Sequence, residues 1–355
     1  MSAVAIIDHD AFAHNVTLLS TRVTPAAVML AVKADAYGHG MLDIAQTALD
    51  SGATSLAVLE IPAAIALREA GVECRLFAWL HGTQSDFEGA IARRVDLGVS
   101  ALWQLVRIAD AATVDVPARV HLKIDTGLHR NGASPEQWPE LVASARALEE
   151  TGRIVVEGIW SHLADASIAA DDDALDAFTN ALEVAADLGV VPRLRHVAAS
   201  SAGWREPRAR LDLVRFGIAA YGISPFDDQT GLELGLRAVM TLQAEVSRDE
   251  APDGRRWITA GYAHGVPLGA TGAEVSIEGA RCSVEAVELD RTLVVAPSSV
   301  TAETAVTIFG EPRSGVPSAE DWAHWSGTIG DEIVTGVPPR VPRTHRGRGE
   351  RAATT

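Results

Sequence analysis

The sequence is short of several things, and each shortage excludes a class of protein. Its 355 residues hold two cysteines, Cys74 and Cys282. They are too few and too far apart for a disulfide framework, so both read as free thiols of a reducing compartment. No uncharged apolar run approaches the roughly 18 residues that a membrane span needs. The opening MSAVAIIDHDAFAHN lacks the basic segment and apolar stretch of a secretory signal. Positive charge is also scarce, with 30 Lys+Arg against 47 Asp+Glu and a formal net charge of −17. Clustered Lys and Arg carry binding to a phosphate backbone, so nucleic acid is not an expected partner. These shortages leave a cytoplasmic protein with no membrane partner, and no metal site is expected. What the chain does have is apolar residues, 47% of the total, enough for one large core and a smaller second one.

Those apolar residues are organised in two ways. From Ala26 to about Ile223, short apolar runs alternate with helix-like stretches. The runs are 26–32, 54–59, 75–80, 96–99, 117–124, 153–160, 193–198 and 212–216. Between two of them Leu175, Phe178, Leu182 and Ala185 recur at helical spacing behind an Asp171–Asp173 start signal. Eight runs separated by helices predict an α/β fold, a (β/α)8 TIM barrel over residues 8–233, although a doubly wound open sheet gives a similar pattern. Beyond Gly235 the period changes. Met240, Leu242, Ala244 and Val246 alternate with Thr241, Gln243 and Glu245, the signature of a half-buried strand. Val287, Leu289 and Leu293–Val295 continue the pattern, which predicts a mainly antiparallel β domain over 234–345 joined by a strand at 2–7. The basic, Gly-rich end, 346–355, is expected to be disordered.

One string concentrates chemistry: Ala31-Val32-Lys33-Ala34-Asp35-Ala36-Tyr37-Gly38-His39-Gly40. It places a lysine at the end of an apolar strand, and C-terminal strand ends build the active site of a barrel. A partly desolvated lysine there loses affinity for its proton and becomes a nucleophile toward an aldehyde, whereas a bare strand-end lysine more often just reaches solvent. Four further strings follow in order: Leu122-Lys123-Ile124-Asp125-Thr126-Gly127-Leu128-His129-Arg130-Asn131-Gly132, Ser161-His162, His196-Val197-Ala198-Ala199-Ser200, and Val214 through Gly222 (VRFGIAAYG). The β region adds Gly261-Tyr262-Ala263-His264-Gly265 and closes on Trp322–Arg343, which ends Arg-Val-Pro-Arg. Taken singly, His162 would more often be a core histidine and Tyr262 a structural tyrosine.

Together and in this order, the strings resemble the alanine racemases along nearly the whole chain. The resemblance implies a pyridoxal 5'-phosphate (PLP) enzyme, an isomerase that interconverts L- and D-alanine and supplies D-alanine for cell-wall peptidoglycan. Lys33 would hold the cofactor and serve as one catalytic base, with Tyr262 as the other. Two bases on opposite faces are what racemisation at Cα demands. Tyr37, His162, Ser200, Arg215, Gly217 and Ile218 would bind the cofactor, with Arg215 facing the pyridine nitrogen and the amides of Gly217 and Ile218 meeting the phosphate. Arg130 and Ser283 would contact the substrate carboxylate, and Lys123 would be carbamylated to orient Arg130. Arg215 and His162 would supply positive charge near the catalytic phenol. The family also implies a head-to-tail homodimer with shared sites.

Some positions depart from the family. The stretch between Val246 and Gly261 is shorter and lacks a Ser-Tyr-Gly segment. Ser283 and Val284 stand for Met and Asp, His264 for Asp, and Asp331 and Pro339 for tyrosines. Three alternatives therefore stay open: a racemase of another small amino acid such as serine, a PLP-binding protein without catalysis, and a basic-amino-acid decarboxylase. A mere carrier has no need of both Lys33 and Tyr262. A decarboxylase uses a cysteine-bearing loop, for which Cys282 is the residue to check.

Overall fold

The computed structural model describes residues 3–165, 167–270 and 272–347. The chain divides into two compact units. One comprises Leu18–Lys33 and Gly52–Gly217, the other Met1–Thr17, Ala34–Ser51 and Ile218–Thr355. Among the described residues, no helix is long and apolar enough to cross a membrane.

The first strand, β1 (Val4–Asp8), belongs to the second unit. The next eight form the first unit's sheet: β2 (Ala27–Ala31), β3 (Ser55–Val58), β4 (Arg75–Ala78), β5 (Val95–Val99), β6 (Ala118–Lys123), β7 (Ile154–Trp160), β8 (Leu194–His196) and β9 (Leu213–Phe216). Each lies within or within one residue of one of the eight apolar runs, including the weak fourth. The spatial order is β8-β7-β6-β5-β4-β3-β2-β9, and the neighbours run parallel throughout. Two backbone hydrogen bonds beside the last strands, Asp212 N to Arg195 O (3.2 Å) and Arg215 N to Ala198 O (3.0 Å), bring β9 round to β8. That settles the choice between barrel and open sheet. Parallel strands under helices are buried on both faces, which is why every residue of β3, β5 and β9 is buried, Ser55, Asp96 and Arg215 included. Met29, Ala57, Phe77, Trp160 and Leu213 pack together in a fully buried cluster contributed by five of these strands.

The helix foreseen behind Asp171 spans Ile168–Asp187 and buries Leu175, Phe178 and Ala185. Its cap lies earlier than the aspartates: the Ser167 hydroxyl accepts from Ala170 N at 3.1 Å. A serine hydroxyl at that position satisfies an otherwise orphaned amide, so the first turn forms before the charges that suit its dipole.

In the second unit the sheet order is β11 (Arg256–Ile258), β14 (Thr292–Val294), β13 (Ala280–Val287), β12 (Glu274–Ile277), β15 (Ala305–Phe309), β10 (Met240–Glu245), β1 and β16 (Arg343–Arg346). All pairings are antiparallel except β1 with β16. Met240, Leu242 and Ala244 face inward from β10, as their alternation foretold. Arg346 reads as the first residue of the disordered tail. Instead, Arg343–Arg346 pair with β1 from Ala5↔Arg343 to Asp8↔Arg346. The open edge of β1 offers unpaired amides, and the Asp8 carboxylate takes Arg346 at 2.9 Å. The rest of the expected tail, from residue 348, lies outside the described residues.

Candidate active site

The barrel unit carries its polar side chains where the strands end. Lys33 stands two residues beyond β2, where Val32 N still donates to Ala57 O at 2.9 Å. Lys123 is the last residue of β6, and Ser161 and His162 follow β7 directly. Ser200 opens the helix Ser200–Arg205 beyond β8, Arg215 sits inside β9, and Gly217 comes just after it.

Arg215 is the best-anchored of these groups. Nη1 donates to His196 Nδ1 and His196 O, both at 2.9 Å, and Nη2 donates to Ser161 O at 2.7 Å and Val197 O at 3.1 Å. None of the four bonds passes through Nε. Burial, helped by the Arg130 charge, lowers the guanidinium to about 9, so it remains charged at neutral pH. Its Cζ lies 5.1 Å from the centre of the Trp160 ring, and Lys123 Nζ lies 4.7 Å from the same centre. A desolvated cation over an indole gains about 2 kcal/mol, which offsets part of the cost of burying two like charges side by side.

Lys123 donates to Asn131 Oδ1. Burial first, then the Arg215 and Arg130 charges, bring its amine down to about 7, against a smaller opposing effect of Asp125. His162 packs edge-on to Trp160 with centroids 5.0 Å apart, and its buried Nδ1 has no hydrogen-bond partner. Burial and then the charges of Arg215, Lys123, Arg130 and Lys33 hold its imidazole well below 6.5. His162 was expected to contribute positive charge. It is neutral instead, because it is buried and four cations already crowd it. The same four charges show that Lys33, Lys123, Arg130, His162 and Arg215 are brought together.

Two local devices hold the surroundings. Asp125 accepts from the amides of Gly127 (3.1 Å) and His129 (3.0 Å), which shapes the loop that carries Arg130. Ser200 Oγ accepts from Gly217 N at 3.1 Å. The helix behind Ser200 lies so close to β9 that a Cβ on Gly203 would sit 2.5 Å from Val214 Cγ1.

Tyr37, Ile218, Tyr262 and Ser283 are carried by the second unit. Tyr37 ends a left-handed turn in which Ala34, Asp35, Ala36 and Tyr37 have φ of 50°, 54°, 53° and 52°. Each such non-glycine residue costs about 1–2 kcal/mol. The turn is held by Met41 N on Asp35 Oδ1 (2.7 Å) and by His39 Nδ1 on the carbonyls of Ala36 (2.9 Å) and Tyr37 (3.0 Å). Tyr37 is buried with its ring 4.8 Å from that of Tyr221, and burial pushes its phenol up. Ile218 begins the buried turn Ile218–Tyr221. Tyr262 lies on the turn Tyr262–His264, 48% exposed, its amide donating to Glu288 O at 2.9 Å. Ser283 is exposed on β13, opposite Glu274.

Reading motifs missed Trp160, Asn131 and the buried pair His121 and His196. A signal existed for the last two: each is a polar residue inside a run otherwise read as buried strand. A second overlooked signal is compositional, since Lys33 and Lys123 are the only lysines in the chain.

A cation-lined mouth at the C-terminal end of a parallel (β/α)8 barrel, with a lysine at its first strand and an antiparallel β unit following, defines a barrel enzyme with a lysine-centred site. Residues 7–225 match the model of the alanine racemase N-terminal domain and residues 251–345 that of its C-terminal domain. The alanine racemase of Thermobifida fusca is 40% identical over 371 residues, covering 97% of this chain and 98% of that protein. The crystal structure of alanine racemase from D-cycloserine-producing Streptomyces lavendulae superposes with a TM-score of 0.95 at 36% identity, over 99% of this chain and 98% of that one. The structure of alanine racemase from Bacillus anthracis with bound L-Ala-P gives 0.85 at 27% identity, over 98% and 96%. The chain belongs to the alanine racemase family.

Proposed function

We propose that this chain interconverts L-alanine and D-alanine as a PLP-dependent racemase, moving the Cα proton between two bases on opposite faces. The observation that carries the reading is the gathering of Lys33, Lys123, Arg130 and Arg215 around a neutral His162 at the barrel's C-terminal end. Such a donor set suits a ligand with a phosphate and a carboxylate. The cofactor fits it at specific atoms: His162 has an orphaned buried nitrogen, and Arg215 keeps Nε out of all four of its bonds. Lys33 would hold the cofactor's aldehyde carbon, Arg215 Nε would meet the pyridine nitrogen, and Tyr37, Ser200, Gly217 and Ile218 would hold the phosphate. PLP, when bound, supplies an electron sink that makes the Cα proton removable.

The chain's own residues do the rest. In the L-to-D direction one of Lys33 Nζ and Tyr262 Oη takes the proton and the other returns one to the opposite face; the roles exchange in reverse. Arg130 pairs with the substrate carboxylate, and the backbone N–H of Ser283 adds a second contact. Arg215 donates and never accepts, so it leaves the pyridine nitrogen without a proton and restrains side reactions such as transamination. Lys123, largely uncharged just above neutral pH, is suited to take up carbon dioxide as a carbamate that orients Arg130. The working form is a head-to-tail homodimer in which one copy's Lys33 meets its partner's Tyr262. The product would serve cell-wall synthesis in the cytoplasm.

Borohydride reduction of the PLP-loaded protein followed by peptide mass mapping tests the cofactor assignment. With only two lysines in the chain, the reading requires the tag on the Lys33 peptide. A tag on Lys123, or none, defeats it.

A further inference from the structure

Inside the barrel, four side chains form an unbroken hydrogen-bonded chain that the proton transfers above do not use. Asp96 on β5 meets His121 on β6 (Oδ2 to Nε2, 3.2 Å), His121 meets His196 on β8 (Nδ1 to Nε2, 2.9 Å), and His196 meets Arg215 on β9 (Nδ1 to Nη1, 2.9 Å). Asp96, His121 and His196 have no exposed surface, and Arg215 is 6% exposed. Asp96 and Arg215 stand at the second and third positions of their strands, and Asp96 is further bound by Arg75 (2.7 Å) and Arg119. Arg75 in turn reaches Glu157 at 3.0 Å.

The protons in this chain can be placed by logic. A guanidinium only donates, so His196 Nδ1 must accept from Arg215. Burial and the Arg215 charge hold His196 well below 6.5, so its ring is neutral and its one proton sits on Nε2. That proton points at His121 Nδ1, which must therefore accept, and His121 is left with its proton on Nε2, facing the carboxylate. Burial alone would raise the Asp96 carboxyl, but the His121 hydrogen bond and the nearby arginines outweigh it and keep the group ionised. Every donor points from Arg215 toward Asp96. With any histidine flipped to the other tautomer, two N–H groups or two lone pairs would face each other at 2.9 Å between side chains with no exposed surface.

We propose that Asp96 and His121 are positioning residues: by fixing the direction of this chain they guarantee Arg215 an acceptor at His196 and hold its guanidinium aimed at the cofactor's pyridine nitrogen. The proposal rests on the PLP reading for its last step only. The direction of the chain belongs to the protein without cofactor.

Long-range ¹H–¹⁵N NMR on histidine-labelled, cofactor-free protein reads the tautomers directly, with His121→Asn and His196→Asn identifying the two spin systems. Both rings should carry their single proton on Nε2. A proton on Nδ1 of either ring, or a doubly protonated ring at neutral pH, overturns the proposal. His121→Phe then cuts the chain beside Phe77, whose ring already lies 4.7 Å from that of His121. His196 should lose its fixed tautomer, and PLP measured by equilibrium dialysis should bind roughly tenfold more weakly, the effect of one charge-assisted hydrogen bond. His121→Gln can accept with its oxygen and donate with its amide, and should restore both. An unchanged PLP affinity in a folded His121→Phe protein overturns the positioning role. If the unaltered protein takes up no PLP, the cofactor reading falls, while the tautomers still decide the direction of the chain.

Discussion

The charge state of Lys123 offers the sharpest quantitative test of the site. Its amine falls from the ordinary 10.5 to about 7 because it is buried and faces Arg215 and Arg130. A fall of that size is equivalent to about 5 kcal/mol in favour of the neutral amine. The sign for stability follows. Below pH 7 both the folded and the unfolded chain carry the proton, and the folded state bears the whole penalty. Between 7 and 10.5 the unfolded chain binds the extra proton, so stability rises with pH and the penalty is gone above 10.5. The chain's two lysines make the measurement clean, because ¹³Cε-lysine labelling yields two resonances and Lys123→Met removes one. In buffer free of carbon dioxide, the surviving assignment should give a midpoint near 7 for Lys123. Added bicarbonate should replace that resonance with a carbamate signal. A Lys123 midpoint near 10 would refute the burial argument and the route to carbamylation together.

Other expectations follow from the same geometry. Trp160→Phe keeps an aromatic face but a weaker one, so the Lys123 midpoint should drop by up to about one pH unit, read in the same titration. No drop would mean that the indole contributes nothing to holding the cations. Gly203→Ala forces a Cβ to within 2.5 Å of Val214 Cγ1 and should cost about 1–3 kcal/mol in urea unfolding, whereas a neutral result would show that the helix can lift off β9. Tyr262→Phe removes one of the two proposed bases, and Cα exchange from one alanine enantiomer should fall about 100-fold or more while exchange from the other persists. Equal loss for both enantiomers would argue that Tyr262 supports structure instead.

Much of this was legible in the sequence, for identifiable reasons. The eight barrel strands stood out because parallel strands covered on both faces are written mainly in apolar residues, and even Val95–Val99, broken by Asp96, kept enough of that pattern. The same break was itself information. An acid inside a fully buried strand has to be paired, and Asp96 begins the chain that reaches Arg215. The lysine at the end of the first barrel strand was visible because its neighbours form a long, specific string. What could not be read was anything decided by the meeting of distant strands. The neutrality of His162 depends on its burial and on four cations from three other segments, and the left-handed turn after Lys33 depends on His39 bonding back to it. The pairing of Arg343–Arg346 with β1 was hidden because a short, charged, Gly-flanked segment has no strand signature of its own.

At the centre of the proposed activity, Lys33 and Tyr262 exchange the Cα proton of alanine. The most direct test incubates the PLP-loaded protein with L-alanine in D₂O and follows Cα deuteration and D-alanine together. D-alanine carrying deuterium at Cα should appear, with both enantiomers approaching equal amounts. Protein that holds PLP on Lys33 yet leaves L-alanine undeuterated and unconverted would contradict it.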